Sequence, residues 1–193
     1  MTPHPRPTIL VAIVYAIAIA CTGCASYAGG AKPIDPSRLR EPGWITTGPM
    51  HVIRQRGPLD CGAAALAMVA ARWHVTVTGD DPAFPTPSTN GLRLGDLRTV
   101  ARGHGLVAFA IAADRATLDH ELRAGRPVIV GLLRPYTRRE AMSHYEVVVA
   151  QRGDEIVTLD PAAGWRVRSW AALDAEWRLA AYPALVVLGP VER

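Results

Sequence analysis

The sequence has little cysteine, little surplus charge and no hydrophobic run long enough to span a bilayer. The apolar run nearest the N-terminus, Ile9 to Ala20, holds twelve residues, against the roughly 20 that a membrane-crossing helix needs. Basic residues number 21 and acidic residues 17, for a formal charge of +4 spread along the chain, so composition does not argue for a nucleic-acid partner. There is no internal repeat and no low-complexity tract to define a second domain. His51, His74, His104 and His120 share no zinc-like spacing with one another or with cysteine, so no metal site and no cofactor is expected. Three cysteines make an odd count. What is there is globular: 49% apolar and 20% charged over 193 residues, enough for one domain once an export signal is removed.

The N-terminus reads as an address. A basic residue (Arg6), a short apolar segment and then small residues are the layout of a secretory signal peptide. The run Cys21-Thr22-Gly23-Cys24-Ala25-Ser26 resembles the lipobox of bacterial lipoproteins, in which the cysteine is acylated and becomes the first residue. Cys24, preceded by Gly23, is the better candidate. Cys21 is the weaker one and occupies the place where that pattern usually has Leu. The resemblance implies a signal peptide over residues 1–23, a lipid on Cys24 and a location on the bacterial cell envelope, facing the periplasm or exterior. Cys61 would then be a lone unmodified thiol in an oxidising compartment, a liability unless it is buried or used. Residues 24–50, rich in Gly, Pro and charge, read as a flexible tether, and residues 51–193 as the folded domain.

Within the domain, Asp60 followed by Cys61 to Trp73 predicts an Ala-rich, largely buried helix with Asp60 as its cap. Residues 80–91 form a loop. Helices are expected from Leu94 to Arg102 and from Thr117 to Arg123, with a strand from Val107 to Ile111 between them. The pattern then turns to strands: Pro127 to Leu133, His144 to Gln151, a turn at Arg152-Gly153-Asp154, and Glu155 to Leu159. Trp165 to Arg168 adds a short strand, Ser169 caps a helix to Leu179, and Ala184 to Leu188 closes the chain. Helices first and a meandering antiparallel sheet afterwards make an α+β domain.

Cys61 falls in the first turn of the buried helix, where unpaired amides and the helix dipole favour the thiolate. A cysteine nucleophile needs a base, and the base an orienting partner. A hairpin turning at 152–154 would bring the outer strand ends, His144 and Asp160, side by side. The carboxylate would then fix the imidazole tautomer and leave the other ring nitrogen for Cys61. Gln55, six residues before Cys61, supplies an amide that with the Cys61 N–H would form an oxyanion hole.

Gln55-Arg-Gly-Pro-Leu-Asp60-Cys61-Gly62-Ala-Ala-Ala-Leu66 resembles the nucleophile motif of the double-glycine leader peptidases. These are papain-like cysteine peptidases best known as N-terminal domains of bacteriocin-exporting transporters. His144-Tyr-Glu-Val-Val-Val and Leu159-Asp160-Pro161-Ala-Ala-Gly164 match the family's histidine and aspartate motifs in order and spacing. The resemblance covers about Val52 to Leu188. It implies a papain-like fold with a helical part carrying the nucleophile packed on a C-terminal antiparallel sheet. It also implies Gln55 as oxyanion donor, Cys61 as nucleophile, His144 as general base and acid, and Asp160 as orienter. A peptide or protein is the implied substrate, cleaved at double-glycine-type sites, with a secretion-system partner. The 193 residues carry no transporter or ATPase segment, so the catalytic machinery transfers more firmly than the substrate.

Other readings stand beside this one. The same thiolate would serve an amidase or acyltransferase acting on cell-wall peptides or a lipoprotein, and a cleft without turnover would make a peptide-binding lipoprotein. Glu146 shares a strand face with His144 and reads as structural or solvent-facing, with a second imidazole partner or a metal ligand as its alternatives. Arg134, Arg138 and Arg139 read as a solvated loop before His144, and Trp165, Trp170 and Trp177 as packing the last helix on the sheet.

Overall fold

The computed structural model describes residues 29–135 and 141–190. An antiparallel sheet forms its centre. In chain order the elements are β1 (Lys32–Pro33), a 3-10 turn (Pro36–Arg40), β2 (Ile45–Thr46), α1 (Cys61–Arg72), α2 (Leu94–Gly103), β3 (Leu106–Ala112) and α3 (Arg115–Arg123). They continue with β4 (Val128–Pro135), β5 (Ala141–Arg152), β6 (Glu155–Asp160), β7 (Gly164–Ser169), α4 (Trp170–Leu179) and β8 (Pro183–Pro190). The strand order is β1-β7-β6-β5-β4-β8-β3, with β2 added to β5. The mixed helix and antiparallel-sheet architecture is the one the sequence pattern predicts.

Alternation along the strands, broken on β5 where Val149 and Ala150 both face the first core, divides the interior in two. Ile129, Val147, Val157, Leu159, Leu185 and Val187 join α1 and α2 in one apolar core. Val128, Val130, Val148, Ile156, Ala184 and Val186 join α3 and α4 in a second core on the other face. The sheet is therefore covered on both sides, which is why β4 reads as a continuous apolar run rather than an alternating one. Trp170 and Trp177 lie in the second core as expected. Trp165 packs on the first, because its odd register places it on the opposite face from Arg168.

The expected tether departs most from the sequence reading. From Gly29 onward the chain lies against the domain: β1 pairs with β7, β2 with β5 at Gln151 and Ala150, and Ile34 N–H donates to Trp165 O at 3.3 Å. Asp35 caps the 3-10 turn through a bond from Ser37 N–H at 2.8 Å. Composition suggested a linker, but Ile34 and Met50 are buried in the first core, with Trp44 packed against it. Those apolar anchors, spaced between the glycines and prolines, outweigh the cost of ordering the segment. The signal peptide and Cys24 lie outside the described residues, as do Cys21, Arg138 and Arg139.

Candidate active site

Helix α1 carries the nucleophile candidate. Cys61 to Ala70 is buried without interruption, and Cys61 is 5% exposed. Close approach of α1 to β5 depends on Gly62: a Cβ there would lie 3.1 Å from the Tyr145 ring and 3.3 Å from Leu97 Cδ2. Tyr145 is held in turn by its hydroxyl, which donates to Leu92 O at 3.1 Å. The expected Asp60 cap is not made. Asp60 holds the cap position but has no side-chain bond to the helix amides, its backbone angles (φ −91°, ψ 1°) being unlike the extended geometry that capping side chains use. The first-turn amides are thereby left to Cys61.

His144 lies beside this helix end on β5. Its Nε2 is 2.9 Å from Asp160 Oδ1, and the ring stands beside the Cys61 thiol, close enough for each to shift the other. With Nε2 committed to Asp160, Nδ1 is the ring nitrogen left for the sulfur. Asp160 is fixed further by Ala162 N–H, which donates to Oδ1 at 2.7 Å. Hairpin geometry alone does not produce this pair. The β5–β6 register begins as Arg152↔Glu155 and Ala150↔Val157, then shifts to Val148↔Thr158 and Val147↔Leu159. Without that bulge at Val149, Asp160 would face Val147 and point away from His144. With it, Asp160 falls opposite Glu146, on the face that His144 shares.

Gln55 is brought to the same neighbourhood: its backbone N–H donates to Pro161 O at 3.1 Å, next to Asp160. Its side chain is turned inward on its own loop, Nε2 donating to Gly57 O at 2.8 Å, while Oε1 is buried without a partner. One amide N–H remains for an oxyanion.

The sequence reading missed a group of charges behind the imidazole. Glu146 is completely buried and ion-paired with both Arg134 and Arg168, the latter at 2.6 Å. Arg134 also bonds Asp160 Oδ2 at 3.1 Å, and Arg168 bonds Glu176 at 2.9 Å. Arg134 is thus no solvated loop residue: it lies on β4 and is 8% exposed. The signals were present in outline, as Arg134 interrupts the apolar run Gly131-Leu132-Leu133 and Glu146 the run Tyr145 to Val149. Donor atoms of His144, Glu146 and Asp160 lie within 4.8 Å of one another, a spacing that suits a cation. The Arg134 guanidinium already bonds both carboxylates, so this is a site of ion pairs rather than a metal centre.

The electrostatics follow from these contacts. Burial pushes the Cys61 thiol up, but the bond to His144, its charge, and the amides of Tyr145 and Gly62 outweigh burial and lower it below the ordinary cysteine range. Burial alone would lower the His144 imidazole, yet the bonds to Asp160 and Cys61 raise it to about 9. Burial raises Asp160, while His144 and Arg134 hold it well below the usual carboxylate range. A thiol pushed down beside an imidazole pushed up is the condition for a thiolate–imidazolium pair.

Comparison with known proteins places this geometry in a family. A double-glycine-motif protease from an AMS/PCAT transporter, solved in complex with its leader peptide, superimposes with a TM-score of 0.58 at 22% identity, covering 74% of this chain and 93% of that one. The peptidase domain of Streptococcus ComA, a bifunctional ABC transporter of a quorum-sensing pathway, superimposes with a TM-score of 0.61 at 23% identity, covering 73% of this chain and 100% of that one. At such identities these two show a common fold. A search of curated proteins finds no match. The sequence profile of the peptidase C39 family matches residues 50–183, from the segment ahead of Gln55 to the start of β8, and on that match the chain belongs to the peptidase C39 family of cysteine peptidases.

Proposed function

We propose that this protein is an exported, lipid-anchored peptidase that cleaves peptide bonds through Cys61, His144 and Asp160, with Gln55 in the oxyanion hole. The observation that carries the reading is the imidazole of His144, hydrogen-bonded to Asp160 and standing beside a thiol at a helix N-terminus, with the thiol shifted down and the imidazole up. The Cys61 thiolate attacks the scissile carbonyl carbon, and the carbonyl π electrons move onto oxygen. The Cys61 N–H and the free Gln55 N–H stabilise that oxyanion. Collapse breaks the C–N bond as the His144 imidazolium gives its proton to the leaving amine, leaving a thioester. His144, now neutral, takes a proton from water, whose oxygen displaces the thiolate and releases the acid. Asp160 holds the ring in one tautomer throughout.

The double-glycine motif protease solved with its leader peptide supports an extended peptide as substrate, and double-glycine-type sites are the first to try. The lipobox-like run ending in Cys24 supports an envelope location with the catalytic domain held at the membrane surface. The test uses the full chain in detergent. Rapid labelling of Cys61 by iodoacetamide at mildly acidic pH, read on its own peptide by mass, is expected in the wild type and lost in His144→Ala. Cys61→Ala is expected to lose turnover of double-glycine peptides by at least about a thousandfold. Labelling that rises only near the free-thiol pKa and ignores His144 would sink the reading.

A further inference from the structure

The residues so far assigned account for one face of the imidazole environment. Behind it lies a buried array of which the proposed reaction uses only Asp160. Five side chains from five elements meet there: Arg134 on β4, Glu146 on β5, Asp160 on β6, Arg168 on β7 and Glu176 on α4. Each is buried, from 0% exposed at Glu146 to 8% at Arg134. Arg134 bridges Glu146 and Asp160, and Arg168 bridges Glu146 and Glu176. Asp160 is therefore held from two sides, by His144 on Oδ1 and by Arg134 on Oδ2.

Counting charge explains why such an array is kept. Three carboxylates face two guanidiniums, in surroundings where an unbalanced charge is costly. Among the described residues the third cation comes from His144, when its ring carries both protons. Among the described residues, the charged or titratable groups around that ring are Cys61 from α1, Arg134 from β4, Tyr145 and Glu146 from its own strand, and Asp160 from β6. Arg168 and Glu176 stand one contact further away. Cys61, as a thiolate on the other side of the ring, adds a further negative charge, so the surroundings of the imidazolium keep a surplus of negative charge.

We propose that Glu146 and Arg134 are positioning residues of the site, resting on the peptidase reading above: Arg134 locks the free oxygen of Asp160, and the surplus carboxylate of the array, centred on Glu146, holds His144 in its cationic form. That surplus of negative charge favours the imidazolium, so the proton destined for the leaving amine is stored before substrate arrives. Arg134 acts with two signs, orienting Asp160 through its bond while its charge opposes the imidazolium. Removing the two residues must therefore move His144 in opposite directions, an outcome that mere loss of packing does not produce.

The experiment is a titration of the full chain in detergent, labelled with 13C-histidine, with the His144 resonance assigned by its absence in His144→Asn. Glu146→Gln, which keeps shape and removes charge, is expected to lower the His144 midpoint by about one pH unit or more. Arg134→Gln is expected to raise it by about as much, and Arg134→Lys to leave it near the wild type. Glu176→Gln, further from the ring, is expected to lower it by about half a unit. A folded Glu146→Gln protein with an unmoved midpoint, or glutamine variants of both signs moving the same way, overturns the proposal. Should Glu146→Gln fail to fold, Glu176→Gln and Arg134→Gln decide by the same rule. If none of these substitutions folds, the array is structural and the proposal is lost. A wild-type His144 that titrates near an unperturbed 6.5, with slow Cys61 labelling, would instead deny the peptidase reading itself.

Discussion

The two faces of the sheet do different work with different chemistry. On the α1 face the interior is apolar, and it positions Cys61 by contact: Gly62 against Tyr145, then an unbroken buried run to Ala70. On the α4 face, next to the Trp170 and Trp177 cluster, the interior holds two arginines and three carboxylates. The apolar face brings the sulfur to the right place. The charged face fixes Asp160 and sets what the imidazole opposite that sulfur carries. Position needs close packing, which does not depend on pH. A proton needs a field, which only buried charge supplies at this strength.

The largest effect should come from breaking each face at its centre. Arg168→Met leaves Glu146 and Glu176 short of a partner and is expected to cost about 3–5 kcal/mol in urea unfolding. Leu66→Ala, at a fully buried position on α1, is expected to cost about 2–5 kcal/mol. The faces separate in the double variant. Arg168→Met with Glu176→Leu removes a pair rather than a partner, and should recover a large part of the single-variant loss. A second apolar truncation at Val69, beside Leu66 on α1, should recover nothing.

A smaller effect is expected from pH. His144 is raised above its ordinary 6.5 to about 9, so its contribution to stability is complete below about 6.5 and is lost as pH rises through about 9. Glu146 and Asp160 are lowered, so theirs is present above the ordinary carboxylate range and is lost as pH falls through their depressed values. Cys61 is lowered, so its contribution grows as pH rises toward the ordinary cysteine range and offsets the loss from His144 in the wild type. In Cys61→Ala, urea midpoints should therefore fall from neutral pH toward pH 9, and adding His144→Asn should flatten that slope. An unchanged slope in that variant would locate the effect elsewhere.

The smallest change sharpens the apolar side. Gly62→Ala adds one methyl group against Tyr145 and Leu97. Helix propensity favours Ala by about 1 kcal/mol, which offsets much of the crowding. Unfolding stability should therefore move by less than about 1 kcal/mol, while outward displacement of α1 should slow Cys61 labelling at mildly acidic pH about tenfold. Equal losses in both measurements would mean that Gly62 serves packing alone.

Helix α1, the β5–β6 turn, the Ser169 cap and the antiparallel order were legible in the residues, because each rests on local propensity or strand period. Cys61, His144, Asp160 and the backbone of Gln55 do meet, as their motifs imply. The folded strap over residues 29–50 was not legible, since its few apolar anchors mean nothing until β7 and β5 offer them a surface. Nor was Asp60's failure to cap, which depends on backbone angles.

What the sequence determined by itself was a buried Ala-rich helix beginning at a cysteine, strands of the right period, and the order of chemically capable residues. Propensity and periodicity are properties of neighbours along the chain. What only the tertiary structure decided was the bulge at Val149, which turns Asp160 to the side of His144, and the meeting of Arg134, Glu146, Arg168 and Glu176 behind them. Register is a relation between strands, and the balance of a buried charge depends on every group that surrounds it, so neither is written in any one segment.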